Sequence, residues 1–227
     1  MNLGEEHDQS YSIASCLATA WQDHIDQGNS RNLPDLYLIQ IAIGGQGVTE
    51  KCMWYPDREK KLIPGKINQV DISLFPLAVH IFSLIDQSFH DLGIDYEIIG
   101  VHWRGGERDL FEAPEYLHDH LETIYVRMID CFNEILKDPK IILHKIACRD
   151  WAMETDPTGK ILQNIGYTNH LFDKISEKYR NVSIFDPQQL PQYRRDVRGN
   201  GLFQPDMLHY MPDVDREVAE LIMHHEI

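Results

Sequence analysis

A chain of 227 residues, 43% hydrophobic and 25% charged, has the balance of a globular protein and enough length to close one core. One domain over 1–227 is therefore expected, and disorder, collagen-like repeats and a membrane span of roughly 20 apolar residues are excluded. The formal net charge of -15 repels phosphate backbones and anionic lipid, which removes nucleic acid and membrane surfaces from the expected partners.

Cys16, Cys52, Cys131 and Cys148 are widely spaced, with no CxxC pair, so reduced buried thiols are expected rather than a disulfide framework or zinc knuckle. The first residues, Met1 to His7, have neither a basic start nor an apolar segment. As given, the sequence encodes no export, and the expected location is the cytoplasm.

Along the chain, Ile13, Leu17, Trp21 and Ile25 recur four apart and predict an amphipathic helix over 10–28 that Gly28 ends. Leu36 to Ile43 is β-rich and almost continuously apolar, the pattern of a strand covered on both faces, and it runs into Gly44-Gly45-Gln46-Gly47. Residues 48–70 lack a period and mix Trp54, Pro56, Pro64 and Gly65 with charges, which predicts a long surface connection.

A second helix follows from Leu74 to Gly93, with Pro76 tolerable only in its first turn. Glu97 to Trp103 has the branching of a second strand and again ends in glycines, Gly105-Gly106-Glu107-Arg108-Asp109. A helix from about Pro114, a strand over 140–146, a helix over 161–179, a strand over 182–186 and a last helix around Val214 to Ile222 complete the alternation. Strands alternating with helices predict an α/β fold, a three-layer α/β/α sandwich around a mainly parallel sheet.

In such a sheet the strand C-terminal ends share one edge and ligands bind beyond it. Three stretches converge there: Ala42-Ile43-Gly44-Gly45-Gln46-Gly47, Trp103-Arg104-Gly105-Gly106-Glu107-Arg108-Asp109 and Asp206-Met207-Leu208-His209-Tyr210. In their order and spacing they resemble the sialate O-acetylesterase and acetylxylan-esterase type of SGNH hydrolase, over roughly residues 10 to 222. The resemblance implies a flavodoxin-like sheet and removal of O-acetyl or similar groups from carbohydrate, with an acylated sugar as partner and neither metal nor organic cofactor.

It also implies roles. His209 is the base, Asp206 orients it, and Gly45, next to Gly44, gives a backbone N–H to an oxyanion hole. From spacing alone, Asp206 capping a turn beside an exposed His209 is the better reading, and only the resemblance reverses that order. Gly105 stands where the family carries an oxyanion-hole glutamine, and Glu107 and Asp109 are expected to hold the second loop by accepting backbone amides. Trp103 is as much a core residue as a sugar platform.

The family's opening strand, ending in Gly-Gln-Ser-Asn and carrying the nucleophilic serine, has no counterpart in this sequence. Ser10, Ser12 and Ser15 fall on helix positions. The resemblance therefore implies that the central strand between 36–43 and 97–103 is rebuilt or supplied from outside, and it leaves a second reading open: a catalytically silent relative that binds glycan or a protein.

Other constellations carry less. His118-Asp119-His120 on a helix points its imidazoles apart, and so reads as a solvated face. His224-His225 reads the same way, near a helix C-terminus. Gly44 to Gly47 lacks the order of a phosphate loop, and the basic island Tyr193 to Arg198 reads as a solvated loop with local ion pairs.

Overall fold

The computed structural model describes residues 12–28, 34–57 and 72–224. Six α-helices are formed among these residues: α1 (Ile13–Asp26), α2 (Leu74–Leu92), α3 (Pro114–Leu136), α4 (Arg149–Thr155), α5 (Lys160–Lys178) and α6 (Pro212–Met223). Three strands, β1 (Val101–Trp103), β2 (Ile141–His144) and β3 (Val182–Phe185), pair in parallel in the order β1-β2-β3.

Local chemistry sets the helix ends. Ser12 and Ser15 form a reciprocal capping box on α1, so Ser12 and Ser15 belong to a helix start; Ser10 lies outside the described residues. Pro76 sits in the first turn of α2, and Gly93 ends that helix with φ +66°, a left-handed cap. Pro114 opens α3 at a position where its missing N–H costs nothing.

Helices cover both faces of the sheet. Ile141 and Leu143 of β2 pack with Leu121, Tyr125 and Met128 of α3 and Phe172 of α5. Ile142, on the opposite face by strand alternation, joins Leu17 of α1 and Val214 and Val218 of α6. All four β2 residues are buried, as the middle strand of a doubly covered sheet requires.

Two expected strands are corrected. Residues 36–43 form no strand: the segment is extended but enters no ladder, and Tyr37, Leu38 and Ile39 are exposed. Its composition satisfies strand propensity, but a strand also needs a neighbour, and among the described residues none accepts it. The strand over 97–103 is confined to Val101–Trp103. Upstream of Val101, residues 97–100 enter no ladder among the described residues.

The connection after residue 47 also differs from a surface loop. Val48, Thr49 and Cys52 are buried, for a reason given below, while residues 58–71 lie outside the described part. The short helix α4 had no periodic signal of its own. No helix among the described residues is long and apolar enough to cross a membrane.

Candidate functional site

The loop after β3 carries the Asp206–His209 part of the site. Phe203 and Tyr210 form an antiparallel bridge and stack with ring centroids 5.2 Å apart. Inside that bridge the Gln204 amide donates to the His209 carbonyl at 2.8 Å. The turn passes through Met207 at φ +60°, a left-handed conformation that places two carboxylate contacts within reach of Asp206.

Asp206 caps its turn and touches His209. Its Oδ1 accepts the Leu208 and His209 amides, each at 3.0 Å, and its Oδ2 lies 2.6 Å from His209 Nδ1. Partial burial pushes the Asp206 carboxyl up, but the His209 ring and the two amides outweigh it and hold the acid below its usual range. The side chain of His209 is 68% exposed, and among the described residues its Nε2 has no hydrogen-bond partner.

Arg104, from the loop after β1, ties this loop to the sheet. Its Nη2 donates to the Leu208 carbonyl at 3.3 Å, and its guanidinium carbon lies 4.3 Å from the centroid of the Tyr210 ring. Asp215, in the first turn of α6, is buried and faces the same cluster. Burial raises its carboxyl to about 6, while Arg104 and His209 pull it down.

Asp109 does for the first loop what Arg104 does for the third. Its Oδ1 and Oδ2 each lie 3.0 Å from the Val48 amide nitrogen, and Oδ1 also accepts the Thr49 amide at 3.0 Å. A Cβ on Gly47 would lie 2.2 Å from Oδ1, so glycine there lets the carboxylate reach the backbone. Burial raises the Asp109 carboxyl despite these donors. Asp109 thus accepts backbone amides as expected, but those of the first loop, after Gly44-Gly45, rather than of the second loop on which it lies.

These loops open onto one hollow of about 2350 Å³. Gly44, Gly45, Gly105, Glu107, Asp206 and His209, the residues singled out from the sequence, all line it. Gly44 and Gly45 are exposed, Gly45 with φ +70°, and nothing would meet a Cβ at either within 4 Å, so their backbone is approachable. Gly105 and Glu107 also line an adjoining cavity of about 10 Å³ with Tyr210 and His144, room for one water. The turn after β1 depends on Gly106, at φ +117° and with a position where a Cβ would lie 3.2 Å from Ile146 Cδ1, rather than on Gly105.

Trp103 lines the hollow and also packs on the α3 core, where its Nε1 donates to Tyr125 Oη at 3.3 Å and its ring meets Trp54 edge-on. On the other face, His102 Nδ1 lies 3.1 Å from His144 Nε2. Burial lowers His102 to about 4, and His144, fully enclosed, lies well below its usual value. Both rings are therefore neutral at pH 7, one nitrogen donating and the other accepting.

Arg104 as a tie, Asp215 and the His102–His144 pair carry no local signal in the sequence. Their partners are distant in sequence or sit on apolar helix and strand faces. The remaining histidines disperse: His118 packs on Tyr167 and His120 on Tyr116, while His224 meets His24 and Glu220. Arg198 of the basic island pairs with Glu154.

Chemically, His209 Nε2 can take a proton from a hydroxyl or water at the rim, with Asp206 fixing its tautomer and steadying the imidazolium. Among the described residues lining the hollow, Ser12 is the one serine, threonine or cysteine, and its hydroxyl caps α1. Comparison with protein-family models, curated proteins and solved structures finds no match to this chain.

Proposed function

We propose that the chain is an SGNH-like hydrolase of the carbohydrate O-acetylesterase type, with Asp206 and His209 as its acid–base pair. The observation that supports this reading is the 2.6 Å contact between Asp206 Oδ2 and His209 Nδ1, in a residue that lines the same hollow as Gly44 and Gly45. In the proposed reaction, His209 Nε2 removes a proton from the attacking oxygen. A glycine amide at the Gly44-Gly45 turn then donates to the oxyanion, and the imidazolium returns its proton to the leaving sugar hydroxyl.

The attacking oxygen is water or a hydroxyl carried by another segment, because Ser12 is committed to its helix cap. A second reading is favoured by that same commitment and by Gly105, which offers no side-chain donor: a silent relative that holds an acylated glycan or a protein in the hollow. Turnover of 4-nitrophenyl acetate and of O-acetylated sugars separates the two. Hydrolysis that His209→Ala abolishes supports the enzyme, whereas equal rates for the parent and His209→Ala chains leave the binding reading.

A further inference from the structure

The small cavity beside the hollow has an unpartnered group in its wall. Its volume of about 10 Å³ is bounded by Arg104, Glu107, His144, Cys148 and Tyr210 among others, at the ends of β1 and β2 and under the loop after β3. It admits one water and no side chain. His144 is only 2% exposed, and its Nδ1 is buried without a hydrogen-bond partner among the described residues. Buried polar atoms are nearly always paired, with protein or with ordered water, so this nitrogen marks a place for a small polar occupant.

Charges of both signs reach the cavity. The Cys148 thiol in its wall is pushed up by Glu107 and drawn down by Arg104. Of these two, Arg104 is the one that acts on the His144 ring, where it disfavours a further proton. Arg104 already donates to the Leu208 carbonyl and is bonded to the Tyr210 hydroxyl, and a guanidinium with five N–H groups has donors to spare. The Lys145 ammonium, by contrast, is committed to Asp173 at 3.0 Å. On its other side His144 Nε2 lies 3.1 Å from His102 Nδ1, so the two rings form a chain from the cavity to a residue that also lines the hollow.

We propose that the cavity binds one ordered water, which accepts from the Arg104 guanidinium and donates to His144 Nδ1 and to the Glu107 carboxylate. About three partners is the usual complement of a buried water. A guanidinium can only donate and a carboxylate can only accept, so the water turns its oxygen to Arg104 and its hydrogens to Glu107 and Nδ1. The positive charge on that side of the ring favours a lone pair over an N–H at Nδ1.

The bond at one ring nitrogen sets the tautomer at the other. His144 therefore carries its proton on Nε2 and donates it to His102 Nδ1, which leaves the His102 proton on Nε2. His102 is thereby a donor and not a base, although it lines the same hollow as His209. The inference rests on the cavity and not on the hydrolase reading, and its test reads ring nitrogens rather than ester cleavage.

The full chain, labelled with nitrogen-15 at histidine, is expected at pH 7 to show one tautomer for each ring by NMR: Nδ1 bare and Nε2 protonated at both His144 and His102. A direct water contact is expected at the His144 Hε1 proton. His102→Gln and His144→Gln, each removing one ring's signals, assign the spectrum. Arg104→Met is expected to lose the water contact and to raise the Nδ1–H share at His144 by about fivefold or more, and Arg104→Lys, which restores a charged donor, to keep the parent tautomer. A protonated Nδ1 on His144 in the parent chain, no water contact there, or an unchanged tautomer share in Arg104→Met overturns the proposal; the parent spectrum decides it even if the variants fail to fold.

Discussion

His102 and His144, one strand apart, face each other with Nδ1 and Nε2 at 3.1 Å beside the open edge of the sheet. Protonating either ring places a positive charge against its neighbour in a buried setting. His102 is lowered to about 4 from an unfolded value near 6.5. A depressed base contributes stability above pH 6.5 that is lost as pH falls toward 4, because the unfolded chain takes the proton first.

Thermal stability is therefore expected to decline from pH 6.5 to pH 4, with His102 accounting for about 3 kcal/mol. His102→Gln keeps polar side-chain atoms in place and removes the titration. Melting curves across that range test it: the variant's pH slope should be visibly shallower, and an unchanged slope would assign the acid lability elsewhere.

Asp215 works with the opposite sign. Its carboxyl is raised to about 6, so its contribution is present below pH 3.8 and lost as pH rises through 6. Urea titrations of Asp215→Asn should show the variant gaining on the parent chain from pH 4 to pH 8, by up to about 3 kcal/mol. Equal differences at both pH values would mean that Arg104 fully compensates the buried charge.

Removing the carboxylate of Asp109 leaves the Val48 and Thr49 amides buried without an acceptor. Asp109→Ala is expected to cost about 3 kcal/mol, a drop in melting temperature of about 6–12 °C for a chain of this size. Gly47→Ala is expected to lower it as well, since its Cβ meets the carboxylate. If Gly47→Ala melts with the parent chain, the clasp has slack that the geometry does not show.

The thiols should differ in reactivity. Cys148 is buried and its thiol is pushed up to about 12, and Cys52 is also buried, whereas Cys16 and Cys131 are half-buried with more modest rises. Iodoacetamide at pH 8 should label Cys16 and Cys131 first, with Cys52 and Cys148 reacting on unfolding. Peptide mass mapping over time reads the order.

If His209 works as a base, Asp206→Asn should lower kcat by about a thousandfold or more with little change in KM, since orientation of the imidazole is lost. Steady-state kinetics on 4-nitrophenyl acetate measure it. A fall in KM affinity alone would instead place Asp206 in binding.

The helices were readable because each carries its own instructions: the four-residue spacing in α1, the first-turn Pro76 and terminal Gly93 of α2, and Pro114 opening α3. The Asp206–His209 contact was readable because both partners lie in one turn. Residues 36–43 misled because strand propensity describes a side-chain surface, while a strand exists only with a partner, and that partner is a property of the whole sheet. Arg104 on Tyr210 and Asp109 on Val48 join residues 106 and 61 apart in sequence, where local pattern has no reach. α4, with seven residues, is too short to display a period.

Asp109 and Arg104 leave from the same turn after β1, one fastened to the backbone at 48–49 and the other to the carbonyl of Leu208. The rim thus acts as a hoop with a single buckle. Anything wedged against the open edge of β1 pulls on both straps together, and the imidazole of His209 is mounted on one of them.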